Sequence, residues 1–295
     1  MNGPVDRPTD GAKTLRARLK DQGLAPLKRY GQHFLVDSAV TDRLVAEIVP
    51  AGTAPHVVEI GAGPGTLTGR LLAAGASVLA LEIDRGLADQ LSRTWSGPKL
   101  SIVVGDALKL DWDELVRRHW GSGPVTLAGN LPYYITGPLI ARLWEAGVPT
   151  WERAVLMMQR EAADRLLAEP GTAQTGAPSV LIRTVASLQR VFDIAPAAFF
   201  PRPRVWSTVV ALTAHRPPTS PALWGEVVHA GFRQRRKMLR TTLSTLGADA
   251  GWWSEALQAR GIDARRRAEA LSLGEWEQVV ALEAARRNGG VPDVV

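Results

Sequence analysis

Residues 130–133, Asn-Leu-Pro-Tyr, follow the apolar run Val125-Thr126-Leu127-Ala128 and a single glycine, so a polar amide and an aromatic sit where a buried strand emerges. That pairing suits an aromatic amine such as the exocyclic nitrogen of adenine. The lone pair of such a nitrogen is delocalised into the ring, which makes it a poor nucleophile. Two acceptors that take both N–H hydrogens favour a tetrahedral, reactive nitrogen. The Asn130 side-chain oxygen and the Leu131 or Pro132 carbonyl are two such acceptors, uncharged and weakly basic. Tyr133 offers a face for stacking, and the proline keeps the turn out of helix. With a methyl donor held in line, alignment would supply most of the acceleration. A plain strand–helix turn with an Asn cap and core tyrosines is the alternative; Tyr134 is expected to pack and to take no part in the chemistry.

A donor site is foreshadowed by Glu59-Ile60-Gly61-Ala62-Gly63-Pro64-Gly65. Glycines at 61, 63 and 65 after a strand let the backbone approach a ligand closely, and the next helix offers free N–H groups. Such a turn suits NAD, FAD or S-adenosylmethionine alike. Glu82 ends the next strand, about twenty residues on, where a carboxylate can accept from both ribose hydroxyls. Asp106 follows a third strand, where a base edge or amine could be read; a helix cap is its plainer use. Three such sites at successive strand ends indicate a nucleoside cofactor.

The elements that must position these residues alternate. Strands are expected at 56–60, 77–84, 100–107, 124–130 and 153–159, and helices at 38–49 (capped by Asp37 or Ser38), 68–75, 85–95, 112–120 and 137–147. That order implies a parallel, doubly wound sheet. Residues 180–194 have high β propensity but could begin as a helix, and 206–216 alternates like a half-exposed edge strand. The proline-rich stretch 215–221 resembles a linker, and 222–287 is apolar at helical spacing.

The 295 residues include no cysteine, which excludes disulfides, thiolate nucleophiles and Cys-based metal sites. The five histidines form no HxxxH or HExxH pair, so no metal is expected. No apolar run reaches the ~20 residues of a membrane span, and the N-terminus lacks a signal-type apolar stretch, so a cytoplasmic protein is the expectation. The formal net charge is +6, and its distribution matters more than its size. Lys13, Arg16, Arg18, Lys20, Lys28 and Arg29 crowd the N-terminal segment, and 232–240 (FRQRRKMLR) holds five cations and no acid. Clustered cations favour a polyanionic partner. Read as a helix, 232–240 puts Arg233, Arg236, Lys237 and Arg240 on one face.

Taken together, GQHFL (31–35), EIGAGPG (59–65), NLPY (130–133), FPRPRV (200–205) and the basic stretch 231–243 resemble the KsgA family, the small-subunit ribosomal RNA adenine dimethyltransferases. The resemblance runs from about residue 15 to 285. It implies that His33, Leu35, Gly61, Gly63, Glu82, Ile83, Asp106, Ala107 and Asn130 contact S-adenosylmethionine. It implies that Asn130, Leu131, Pro132 and Tyr133 form the catalytic turn, with Phe199 or Phe200 on the other face of the target adenine. Arg233, Arg236, Lys237 and Arg240 would hold RNA. The family usually has Asn where this chain has His33, which adds a possible pH sensitivity. Thr175-Gly176 stands where the family often has Tyr-Gly, and Thr175 is assigned no role.

The resulting expectation is an α/β protein. A basic arm (1–30) precedes a Rossmann-like, mostly parallel methyltransferase domain (31–215) and a smaller all-helical RNA-binding domain (216–295). Its implied activity is dimethylation of two adjacent adenosines in a stem-loop near the 3′ end of 16S ribosomal RNA, coupled to small-subunit biogenesis. The implied partner is small-subunit RNA in a pre-30S particle, approached by a monomer without metal or membrane. An Erm-type large-subunit enzyme, and an assembly factor whose binding outweighs catalysis, are the alternatives; Erm proteins more often carry Asn-Ile-Pro at the catalytic turn.

Overall fold

The computed structural model describes residues 12–21, 25–26, 31–121, 123–132, 134–145 and 151–289. The described residues fall into two compact units. Met1–Leu139, Pro149–Ala163 and Ser187–Ala214 supply the first; Ile140–Val148, Asp164–Ala186 and His215–Val295 supply the second. The second unit thus begins its long stretch at the proline-rich 215–221 and also recruits two earlier segments.

In chain order come α1 (Ala12–Asp21), β1 (Phe34–Leu35), α2 (Ser38–Ile48), β2 (His56–Ile60), α3 (Thr66–Ala73), β3 (Ser77–Glu82), α4 (Arg85–Thr94), β4 (Leu100–Val104), α5 (Trp112–Trp120), β5 (Val125–Asn130), α6 (Thr136–Glu145), β6 (Trp151–Gln159) and α7 (Arg160–Leu167). Next follow α8 (Ala177–Arg183), β7 (Ala186–Ile194), β8 (Phe199–Phe200) and β9 (Ser207–Ala214). The main sheet runs β4-β3-β2-β5-β6-β9-β7. Its neighbours from β4 to β6 are parallel, and β9 joins β6 antiparallel. The chain builds outward from β2 to β4 and then restarts on the other side at β5. The switch point therefore lies between β2 and β5, and the crevice beyond their carboxyl ends is where such sheets bind ligands. Asp side chains cap three of the flanking helices: Asp37 accepts from Val40 N–H, Asp84 from Leu87 N–H and Asp111 from Glu114 N–H.

One expectation needs correcting. The strand at 207–214 is no edge: β9 lies inside the sheet, and its first six residues are buried. Its alternation is between two covered faces, so Thr208 is as dry as Val209. The stretch 180–194 does begin as a helix, the end of α8, and continues as β7. Within the expected arm, α1 is packed, with Leu15 and Leu19 buried beside Phe34 and Leu87.

The second unit adds α9 (Pro221–Phe232), α10 (Leu239–Leu243), α11 (Ala250–Ala259) and α12 (Leu273–Arg287) to α8. Trp253 and Trp276 are fully buried, and α12 opens with a reciprocal Ser272–Glu275 capping box. A Cβ on Gly231 would stand 2.4 Å from the Trp276 ring, so glycine is what lets α9 meet that indole. The single cationic helix face expected over 232–240 is not there. Helix α9 ends at Phe232, residues 233–238 form a turn, and α10 starts at Leu239. The cause is burial: Leu239 and Leu243 are both fully buried. To get there the chain turns at Gln234–Lys237 (2.9 Å) and docks Leu239 N–H on Arg266 O (2.7 Å) and Arg240 N–H on Ala264 O (3.2 Å). Arg233, Arg236 and Lys237 are exposed on the turn, whereas Arg240 is half-buried in α10. Among the described residues no helix is long and apolar enough to cross a membrane.

Candidate active site

The glycine turn after β2 is stitched to the end of β3. Gly61 N–H donates to Leu81 O (2.8 Å), and Gly63 N–H donates to Glu82 Oε2 (2.7 Å). Asp84 N–H donates to Glu82 Oε1 at 2.8 Å. Gly63 has φ of +56°, and a Cβ there would press on the Phe34 ring at 3.1 Å. Burial pushes the Glu82 carboxyl up from its ordinary range, against the pull of the Asp84 and Gly63 amides. Each oxygen of Glu82 keeps a lone pair for a further donor.

Asn130 closes β5 opposite Met157 of β6. Its Nδ2 donates to His33 O at 2.6 Å. That bond fixes which way the amide points, which leaves Oδ1 as its acceptor at the cleft. Leu131 N–H donates to Met157 O (2.9 Å), and Ile135 N–H to Pro132 O (3.1 Å). Of the two carbonyls named from sequence, Pro132 O is therefore already engaged in the turn. Leu131 O is the acceptor left open among the described residues, while the Leu131 side chain is buried. A Cβ on Gly129 would sit 2.5 Å from Ile60 O, so glycine alone lets β5 emerge beside the glycine turn.

Two more segments close the site. Phe34 and Leu35 of β1 pair antiparallel with Phe200 and Phe199 of β8. Val36 N–H donates to Ala198 O (2.9 Å), and His33 Nδ1 lies 2.6 Å from Pro201 O. The GQHFL and FPRPRV stretches thus meet as one small ribbon, and His33 ties it to Asn130.

These segments line an open cleft at the carboxyl ends of β2, β3 and β5, where such sheets bind ligands. It gathers His33, Gly61, Gly63, Glu82, Ile83, Asp106, Ala107, Asn130, Leu131, Pro132 and Phe199. Asp106 uses Oδ1 to cap Leu108 N–H (3.0 Å), and its Oδ2 is 3.9 Å from Lys109 Nζ. The plain capping role and a place on the cleft wall hold together. Leu35 does not line this cleft. It is buried beside a smaller cavity shared with Glu59, Thr66 and the glycine turn. Phe200 is absent from the cleft as well, because β-pairing turns it toward Leu15, Leu19, Phe34 and Leu87. Tyr134, expected to pack, is half exposed and lines the cleft. Tyr133 lies outside the described residues.

Sequence reasoning missed Gln32, Phe34, Gly105, Met158 and Ser207 on the cleft wall. The first two sit inside the quoted GQHFL motif. It also missed Glu59, which is 1% exposed and accepts from Thr68 Oγ1 at 2.6 Å. Burial pushes the Glu59 carboxyl up to about 8, with the Thr68 hydroxyl pulling it down and Glu82 adding a smaller upward push. Thr66 Oγ1, on the same small cavity, is buried without a hydrogen-bond partner among the described residues. An unpartnered hydroxyl at an α3 N-terminus that has no side-chain cap fits the polar tail of an amino-acid-bearing nucleoside. No group of three or more His, Cys, Asp and Glu among the described residues could hold a metal ion.

The sequence model for ribosomal RNA adenine dimethylase matches residues 26–284. The ribosomal RNA small subunit methyltransferase A of Magnetococcus marinus is 40% identical over 270 residues, covering 90% of this chain and 94% of its own. Its namesake in Cutibacterium acnes is 38% identical over 291 residues, covering 94% of both chains. Among solved structures, a dimethyladenosine transferase from Plasmodium falciparum superposes with a TM-score of 0.69 at 21% identity, over 88% of this chain and 99% of that one. The 23S rRNA methyltransferase ErmE superposes with a TM-score of 0.64 at 24% identity, over 85% and 99%. Those two likenesses establish the shared fold, which the Erm-type alternative also has; the separation from it comes from the sequence matches. With the methyl-donor cleft and the Asn130 turn where they are, the chain belongs to the ribosomal RNA adenine dimethylase family, the S-adenosylmethionine-dependent enzymes that methylate adenine in ribosomal RNA.

Proposed function

We propose that the chain dimethylates two adjacent adenosines in a stem-loop near the 3′ end of small-subunit ribosomal RNA. It would do so on a pre-30S particle, as a cytoplasmic monomer, in step with small-subunit biogenesis. The observation that carries this reading is the Asn130 carboxamide, whose nitrogen is spent on His33 O so that its oxygen is held for the target amine. S-adenosylmethionine supplies an electrophilic methyl group. Asn130 Oδ1 and Leu131 O accept the two N–H hydrogens of the amine and turn its lone pair toward the donor. After the first transfer one N–H remains, and either acceptor can hold it for the second. Glu82 takes the ribose hydroxyls, Asp106 reads the donor's base, and Ile83 with Ala107 gives that base an apolar flank. His33, Gly61 and Gly63 complete the donor site. Phe199, on the cleft wall, faces the target ring, and the family resemblance gives Tyr133 the stacking role on its other side. Arg233, Arg236 and Lys237 on the turn, with Arg240 beside them, hold RNA phosphates.

The choice of small-subunit RNA is supported by the relatives named above. It is tested by incubating the protein and methyl-labelled S-adenosylmethionine with unmethylated small subunits and, separately, with large-subunit RNA. Label is expected in two neighbouring adenosines of the small-subunit RNA. Label confined to the large-subunit RNA overturns the proposal.

A further inference from the structure

Trp206 is 45% exposed, and Val205 beside it is 42% exposed, an unusual place for an indole. The position is nevertheless fixed. Trp206 O accepts from Arg160 N–H at 2.9 Å, and the next residue, Ser207, is buried in β9 opposite Gln159. Ser207 also lines the catalytic cleft, so Trp206 stands one residue along the chain from the cleft wall. No hydrogen bond or ring contact engages the indole among the described residues. Around it Arg160, Arg202 and Arg204 are exposed, and none has an ion pair among the described residues. An exposed aromatic face whose neighbours along the chain and across its backbone hydrogen bond are exposed arginines suits single-stranded nucleic acid. The ring takes any base face, and the cations take the phosphates.

We propose that Trp206 is a stacking platform for the nucleotide flanking the target adenosine, with Arg160, Arg202 and Arg204 holding that nucleotide's phosphates. The inference rests on the RNA-adenine reading of the cleft. An adenosine that enters the cleft leaves its neighbour without a stacking partner. Trp206 restores one face of that stack at the cleft mouth, lowering the cost of extrusion.

The test uses the full chain, a labelled single-stranded oligonucleotide carrying the target loop, and methyl transfer to the intact particle. Trp206→Ala should weaken oligonucleotide binding by about 5- to 100-fold, and raise KM for RNA correspondingly, while S-adenosylmethionine affinity stays at the wild-type value. Trp206→Tyr should recover most of the loss. Arg202→Gln with Arg204→Gln should flatten the log–log salt dependence by roughly 0.7 per charge removed. Unchanged oligonucleotide binding in Trp206→Ala overturns the proposal. So does a defect seen on the particle but not on the bare oligonucleotide, which would make the occupant a ribosomal protein. Equal loss of cofactor affinity also overturns it, assigning the ring to fold support. If wild-type protein labels only large-subunit RNA, the substrate reading fails. The Trp206 comparison on that RNA still decides the platform.

Discussion

Replacing Glu59 with glutamine should make stability depend less on pH, by an amount the buried carboxyl dictates. Glu59 lies in the middle of the sheet, 1% exposed, and its carboxyl is pushed up to about 8 from an ordinary 4.5. In the unfolded chain the same group ionises near the ordinary value. Between those limits the folded state holds a proton that the unfolded state has released, so stability is full below about 4.5 and is lost as pH rises toward 8. The slope is about 1.4 kcal/mol per pH unit, which amounts to about 3 kcal/mol between pH 5 and 7.5. Glutamine is close in shape, its carbonyl can still accept from Thr68 Oγ1, and it cannot ionise. Its amide brings a constant cost or gain, so the informative quantity is the difference between the two proteins as a function of pH. Other titrating groups are common to both and largely cancel. Urea denaturation followed by circular dichroism at pH 5, 6, 7 and 7.5 measures it, and the variant should gain about 3 kcal/mol on wild type across that range. A difference that stays flat would mean Glu59 is ionised in the folded protein, and the burial argument fails.

Asn130→Ala removes one of the two amine acceptors and the bond to His33 O. By analogy with losing one donor from an oxyanion hole, kcat should fall about 100- to 1,000-fold; single-turnover methyl transfer measures this, and titration calorimetry should find cofactor affinity far less affected. Glu283 is fully buried and accepts from Arg286 Nε and Nη2 (2.8 Å each) and Arg287 Nε (2.7 Å). Burial alone would raise its carboxyl, but the two guanidinium groups hold it below the usual range. Its contribution is therefore present above the unfolded value and lost as pH falls through the depressed one. Glu283→Gln should cost about 2 kcal/mol at pH 7, less than a fully buried pair because both arginines reach solvent. Thermal denaturation should find that gap closing in acid, below about pH 4.

What could be read locally in the sequence was read well, and what depended on remote partners was not. The strand ends bearing Gly61, Glu82, Asp106 and Asn130 follow from short apolar runs and glycines, and the sheet brings all four to one cleft. The interior place of β9 could not be seen, because alternation in Ser207–Ala214 looks the same whether the second face is wet or covered. The basic stretch misled for a related reason. Helical spacing is a statement about residues 232–240 alone, whereas the break at 233–238 is set by Arg266 O, Ala264 O and the burial of Leu239 and Leu243. The choice between Phe199 and Phe200 was invisible locally because β1 pairs with β8 across some 165 residues, and that register decides which ring faces the cleft.

His33 shows how a departure from the family pattern changes meaning once its partners are known. The motif comparison marked it as a possible source of pH sensitivity. In the structure its ring is 2.6 Å from Pro201 O through Nδ1, and its backbone oxygen holds Asn130. A carbonyl is acceptor-only, so Nδ1 must carry the hydrogen. The clamp on Pro201 therefore fixes the ring's tautomer, and the Asn130 bond uses the main chain. Holding the catalytic amide in register with the FPRPRV loop then needs a donor of the right reach at position 33.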